Sequence, residues 1–139
     1  MATSNPDQAQ HYDVLCVESA GLTAQNHVAI FVETHELGPG TGHIYQVSGS
    51  IQLGMFHSYR PGKKPEEDEQ SVFVSKRVLG RVSKAVYDDG TFRRVCDSVA
   101  PPPKQFNGPK RLFPGTKLIR CGEWAQEALE KLKLEGILV

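Results

Sequence analysis

The residue with the strongest claim to chemistry in this sequence is Cys121, in the run Arg120-Cys121-Gly122-Glu123-Trp124-Ala125-Gln126-Glu127-Ala128-Leu129. Beyond it Trp124, Ala128 and Leu132 recur at four-residue spacing with Ala125 and Leu129 beside them. Glu123, Gln126, Glu127, Glu130, Lys131 and Lys133 fall largely on the other side. That pattern is an amphipathic helix, and Gly136 supplies its stop. A thiol in the first turn of a helix lies beside unpaired N–H groups and the positive end of the helix dipole. Both favour the thiolate, which is the nucleophilic form. The same position also suits a small buried residue with no chemical role. By its spacing Trp124 belongs to the core stripe, with an aromatic wall for a substrate as the alternative.

A catalytic thiol needs a base, usually histidine. The chain has five. His11 lies in the polar start, His35 at a hairpin end, and His57 after a third strand. His43 opens a strand beside the Gly38-Pro39-Gly40-Thr41-Gly42 turn. His27 opens the most apolar strand, His27-Val28-Ala29-Ile30-Phe31-Val32-Glu33. A histidine at a strand end ordinarily just meets solvent. What singles out His27 is the combination: an early strand-borne histidine, a polar residue on the next strand, and a cysteine opening the last helix. His43 is the next candidate.

The elements that must position these residues follow from periodicity and breakers. Strands are expected at Tyr12–Glu18, His27–Glu33, His43–Val47 as a hairpin partner, Gly49–Met55 after a bend, and Ser71–Arg77. Leu79–Ala85 reads as a turn and a short extended piece. A helix is expected from Asp88 or Asp89 to Val99, with Phe92, Val95, Cys96 and Val99 on one side, ended by Ala100-Pro101-Pro102-Pro103. Cys16 and Cys96 are core positions. Tyr59–Gln70 reads as an exposed loop whose charge run is solvated and not a binding site. Lys104–Lys117, broken by Gly108, Pro109 and Pro114, is a loop long enough to be functional. The expected organisation is a flexible N-terminus over residues 1–10 and one domain over 11–139. Its class is α+β, a mostly antiparallel sheet packed on two or three helices.

Composition narrows the function classes. The chain of 139 residues carries 16 Lys+Arg and 16 Asp+Glu, so no basic field invites nucleic acid. No apolar run approaches the roughly 20 residues of a membrane span. No secretory signal is visible, and three cysteines argue against a disulfide framework, which together point to the cytoplasm. No CxxC, HExxH or GxxxxGK[ST] pattern occurs, so no metal or cofactor is expected.

His27-Val-Ala-Ile-Phe-Val, then Ile44-Tyr45-Gln46-Val47, then Cys121-Gly-Glu-Trp124 with its amphipathic helix, resembles the circularly permuted papain-like proteins. These are relatives of the NlpC/P60 peptidases that include the lecithin:retinol acyltransferase-like group. The chain looks closer still to small fungal proteins of this type with a C-x-x-W motif after a Pro-rich loop. The resemblance covers roughly residues 12–138 by element order. It implies a small open barrel with the nucleophile helix at the C-terminus. It implies Cys121 as nucleophile and His27 as base, with Gln46 where the family often has a second histidine. A glutamine carbonyl can accept from an imidazole N–H and fix its tautomer. Arg120 replaces the family's asparagine, so a cation precedes the thiol. Arg120, Trp124 and His43 are then the candidate substrate contacts. The implied function is a thiol hydrolase or acyltransferase for an amide, ester or thioester, with a small-molecule or peptide/acyl substrate. A homodimer is left open. A catalytically degenerate binding module of the same fold is the alternative.

Overall fold

The structure is a computed structural model, and it describes residues 10–21 and 25–139. The expected flexible N-terminus thus lies almost wholly outside the described residues. The strands are β1 (His11–Ala20), β2 (His27–Glu33), β3 (Gly42–Ser50), β4 (Gly54–Gly62) and β5 (Val72–Ser83), with a short ribbon of β6 (Phe106–Asn107) and β7 (Lys110–Arg111). The helices are α1 (Lys84–Asp88), α2 (Thr91–Ser98) and α3 (Cys121–Leu134), and one 3₁₀ turn spans Pro65–Glu67. The first five strands form one sheet in the order β4-β3-β2-β1-β5, every neighbour antiparallel. The fold is α+β, as the alternation of patterns predicts.

The most apolar strand, β2, takes the centre because both of its faces are covered. Side chains alternate across a strand. Val28, Ile30 and Val32 therefore join Val14, Tyr45, Val47 and Val82 on one face, where α2 and α3 bring Phe92, Val95, Trp124, Ala128 and Leu132. Each large apolar side chain buried there contributes about 1.5–3 kcal/mol. Ala29 and Phe31 point to the other face, into a much smaller cluster with Leu15 and Ile44.

The second face is covered by a strap. β4 and β5 are opposite edges of the sheet, so residues 63–71 must cross a face to join them, a distance of about 19 Å over four strand spacings. Pro65 is buried under this crossing. Arg60 Nη2 donates to Asp68 Oδ2 at 2.7 Å, and Lys76 Nζ reaches the Glu66 carboxylate at 3.0 Å. The charge run is thus not a freely solvated loop. Two of its acids, Asp68 and Glu66, meet cations on the two edge strands and tie the strap to the sheet, while Glu66, Glu67 and Glu69 stay exposed.

Three boundaries differ from the periodicity. The expected strand Gly49–Met55 straddles a turn: β3 runs to Ser50, residues 51–53 turn, and β4 runs from Gly54 to Gly62. Ile51 looks like a strand residue because it is buried, 4% exposed. It is buried from within the turn, where its carbonyl accepts the Gln105 N–H at 2.7 Å. β5 extends to Ser83 in place of a turn at Leu79, since it pairs with β1 across two irregularities. The last residue, Val139, exchanges two backbone hydrogen bonds with Arg81 at 2.8 and 3.0 Å. A Cβ at Gly80 would lie 2.6 Å from the Val139 carbonyl oxygen, so the closure needs glycine there. Finally, the helix expected from Asp88 or Asp89 to Val99 spans only Thr91–Ser98, and a separate short helix stands partly where an extended piece was expected. Lys84–Asp88 is already helical, and Gly90 at φ +90° turns the chain before α2. The N-cap of α2 is Gly90 and not the expected aspartate, though Asp89 just before it accepts the Thr91 N–H at 2.8 Å.

Candidate active site

Cys121 is the first residue of α3, preceded by Arg120 in extended conformation. The Arg120 N–H donates to Glu123 Oε1 at 2.8 Å, half of a capping box. A guanidinium has no acceptor, so the Arg120 side chain returns nothing to the first N–H groups of the helix. The approach is fixed by Gln105, 5% exposed. Its Oε1 accepts from the Ile119 N–H and its Nε2 donates to the Ile119 carbonyl, both at 2.8 Å. This amide clamp, two residues before Cys121, makes the Pro-rich loop a positioning device. Its only sequence signal was an amide amid breakers.

The thiol meets β2 at the strand's first residues. Cys121 lies close enough to the His27 ring and to the Val28 and Gly122 N–H groups for each of them to favour its thiolate. On the far side of the ring, His27 Nε2 lies 2.6 Å from Gln46 Oε1. An amide oxygen only accepts, so Nε2 must carry a proton, and Nδ1 is the nitrogen left for the sulfur. Neutral His27 is thereby a base toward Cys121, and protonated His27 is a donor to its thiolate.

The electrostatics follow from these contacts. Burial pushes the Cys121 thiol up, but the His27 contact and the Val28 and Gly122 N–H groups outweigh it, and the thiol lies below its ordinary 9.0. For His27, the Cys121 contact raises the pKa above 6.5 against the lowering by burial. Gln46 adds to the rise and Arg60 opposes it. The other two thiols go the opposite way. Burial pushes Cys96 up to about 12 and raises Cys16, where nearby Arg77 only partly compensates. All three are free. Of the three thiols only Cys121 is lowered, and it is the one on the helix start.

The remaining expectations divide. His27 and Gln46 come together with Cys121. Trp124 does not contact this site from solvent: it is 1% exposed, with Nε1 donating to the Val99 carbonyl at 3.0 Å. Its place as a substrate contact is overturned, because the helix face that carries it is turned onto the sheet. His43 is overturned too. It pairs with Val32 at the far end of β2 from His27, and its ring is 3.0 Å from Glu36. Arg120 is half-buried beside Cys121, and its backbone starts the helix.

A cavity of about 330 Å³ opens from His27 and Gln46 along the strap-covered face. Phe31 and Ile44 floor it, Ser48, Ser58 and Arg60 wall it, and Asp68 and Gln70 of the strap roof it. Sequence reasoning missed Arg60 and Asp68, eight residues apart and across a chain reversal. No cluster of three or more His, Cys, Asp or Glu placed to hold a metal occurs among the described residues. Nor is any helix there long and apolar enough to cross a membrane.

The profile of DUF6540, a family of unknown function, matches residues 14–139. The chain belongs to the DUF6540 family. No curated protein and no solved structure matches it. The span shared with DUF6540 contains His27, Gln46, Arg60 and Cys121, so the whole constellation lies within the family's domain.

Proposed function

We propose that this chain is a cysteine-dependent hydrolase or acyltransferase of permuted papain-like fold, acting on an amide, ester or thioester. The observation that carries this reading is the ordered contact Cys121–His27–Gln46, with a lowered thiol, a raised imidazole and a fixed tautomer. The element order supports the permuted arrangement: base on an early central strand, orienting amide on its neighbour, nucleophile at the start of the last helix. In this reading the five-stranded antiparallel sheet corresponds to the small open barrel of the permuted papain-like proteins.

In the proposed mechanism His27 Nδ1 takes the Cys121 proton, giving a thiolate–imidazolium pair. The thiolate attacks the carbonyl carbon, and N–H groups at the start of α3 stabilise the oxyanion. His27 returns the proton to the leaving amine or alcohol. Water or a second amine or alcohol then attacks the thioester, losing its proton to His27 and restoring the thiol. Gln46 carries no charge, so it orients the imidazole without adding the stabilisation a carboxylate gives an imidazolium. A reducing compartment such as the cytoplasm suits the three thiols.

Iodoacetamide labelling at pH 6 with mass mapping tests the pair. Selective alkylation of Cys121, lost in His27→Ala, supports the reading. Equal, slow labelling of all three cysteines sinks it and leaves the binding-module alternative.

A further inference from the structure

The cavity beside His27 does not suit a plain hydrocarbon acyl chain. Its floor is apolar at Phe31 and Ile44, but its walls carry the hydroxyls of Ser48 and Ser58 and the guanidinium of Arg60. An all-apolar ligand would strip these groups of water and pair with none of them. Arg60 has a defined orientation: Nη2 donates to Asp68 Oδ2 at 2.7 Å, and Asp68 Oδ1 also accepts the Gln70 N–H at 2.9 Å. Burial would raise Asp68, but Arg60 and that N–H hold its carboxyl below its ordinary value. The carboxylate is therefore fully engaged, while Arg60 gives it one of five N–H donors. Asp68 is Arg60's partner among the described residues. A guanidinium pre-oriented by one carboxylate, with unused donors in a concave wall, is suited to bind a second, bidentate carboxylate. Because Asp68 already offsets the cation, a monoanion fits better than a phosphate dianion.

Distance sets the length of the ligand. Gln46, which holds the His27 ring, pairs with Ser58, and Arg60 is two residues further along β4 on the same face. Two residues of strand span about 7 Å. That span starts at Ser58 beside Gln46, and Cys121 lies beyond the His27 ring, so an acyl group with its carbonyl at Cys121–His27 and a carboxylate at Arg60 is of glutaryl length or longer. We propose that Arg60 is the specificity-determining residue that selects a short acyl group ending in a carboxylate, delivered to Cys121 as an ester, thioester or amide of a dicarboxylic acid. This rests on the nucleophile reading above and names the substrate class for the same site. In the acylation step the Cys121 thiolate forms the S–C bond, the bond to the leaving oxygen, sulfur or nitrogen breaks, and the leaving group departs with its electron pair.

The test compares mono-p-nitrophenyl glutarate with p-nitrophenyl valerate, a neutral ester of the same chain length, on the full chain. The readouts are p-nitrophenolate release and the mass added at Cys121. Wild type should acylate with the glutarate about tenfold faster or more, a preference that shrinks with salt. Arg60→Gln should bring the ratio to near one, Arg60→Lys should keep part of it, and Asp68→Asn should preserve it, since the cation remains. Circular dichroism checks that each variant folds. Equal reaction of the two esters in wild type overturns the inference. So does a ratio that survives Arg60→Gln, or one that Asp68→Asn abolishes while Arg60 stays. If both esters acylate Cys121 equally, the nucleophile reading stands and only the substrate class falls. If neither acylates it, both fall.

Discussion

The two faces of the sheet are built from the same strands and end up with different properties. On the helix face, α2 and α3 pack Trp124, Phe92 and Leu132 against β1–β3 with essentially no exposure. On the strap face, a short irregular segment covers a small cluster and leaves a cavity of about 330 Å³. A helix presents a continuous apolar stripe, so it can fill a sheet face. A strap held by ion pairs touches the sheet at a few points and leaves space between them. Cys121 sits where the two faces meet, at the ends of β2 and α3. The helix face supplies its rigidity, and the strap face supplies room for a ligand.

The largest effect expected belongs to the junction. Cys121→Ala should abolish thiol-dependent turnover, and His27→Ala should lower it by about 100- to 10,000-fold. The double variant should be no worse than Cys121→Ala alone, because the two act as a unit. Steady-state rates on an activated ester measure this, and a double variant clearly below Cys121→Ala would break the pairing.

Next comes the contrast in packing. Trp124→Ala should cost about 3–5 kcal/mol, and Ile44→Ala, beside the existing cavity, only about 2 kcal/mol. Urea unfolding measures both. Equal losses would mean that the strap face is packed as tightly as the helix face.

Gln46→Ala should leave the fold intact and slow acylation by about 10- to 100-fold, the scale of partners that orient an imidazole. Gln46→Glu should restore it, since a carboxylate also accepts the Nε2 proton.

The pH dependence sharpens the same point. The Cys121 thiol is lowered below 9.0, so its thiolate persists on the acid side of a free thiol. His27 is raised above 6.5, so its imidazolium persists on the alkaline side. The alkylation profile of Cys121 should therefore begin below that of a free cysteine. In His27→Ala it should move up toward about 8.5. An unmoved profile would show that the helix start alone activates the thiol. The two limbs belong to the coupled pair and not to either residue.

The smallest effect concerns the strap. Asp68 is lowered below its ordinary 3.8, so its contribution is present above that value and is lost as pH falls through the folded pKa. Asp68→Asn should cost about 1 kcal/mol at neutral pH and nothing in acid. A pH-independent cost would mean that the ion pair does not hold the strap.

Local patterning by itself determined much of this protein. The apolar run of β2 dictated a central strand, because only a strand covered on both faces can afford it. The four-residue recurrence of Trp124, Ala128 and Leu132 dictated a helix, its buried face, and a thiol on its first turn. The Gly-rich turn made the strands of His27 and Gln46 legible as neighbours, and the family resemblance, not local patterning, singled out Gln46 as the partner of His27. What the tertiary structure alone decided is longer in range. Ile51 read as strand and lies in a turn, since burial there comes from contact with Gln105 and not from pairing. Trp124 could have faced a substrate or the core until the sheet was placed beneath it. The charged stretch after Gly62 read as solvated because charge density is a local property. That it crosses a sheet face depends on β4 and β5 being opposite edges, which strand order sets and no local window contains. Arg60 and Asp68 gain their meaning in the same way: an ion pair over a cavity exists only once the chain has crossed back over its own sheet.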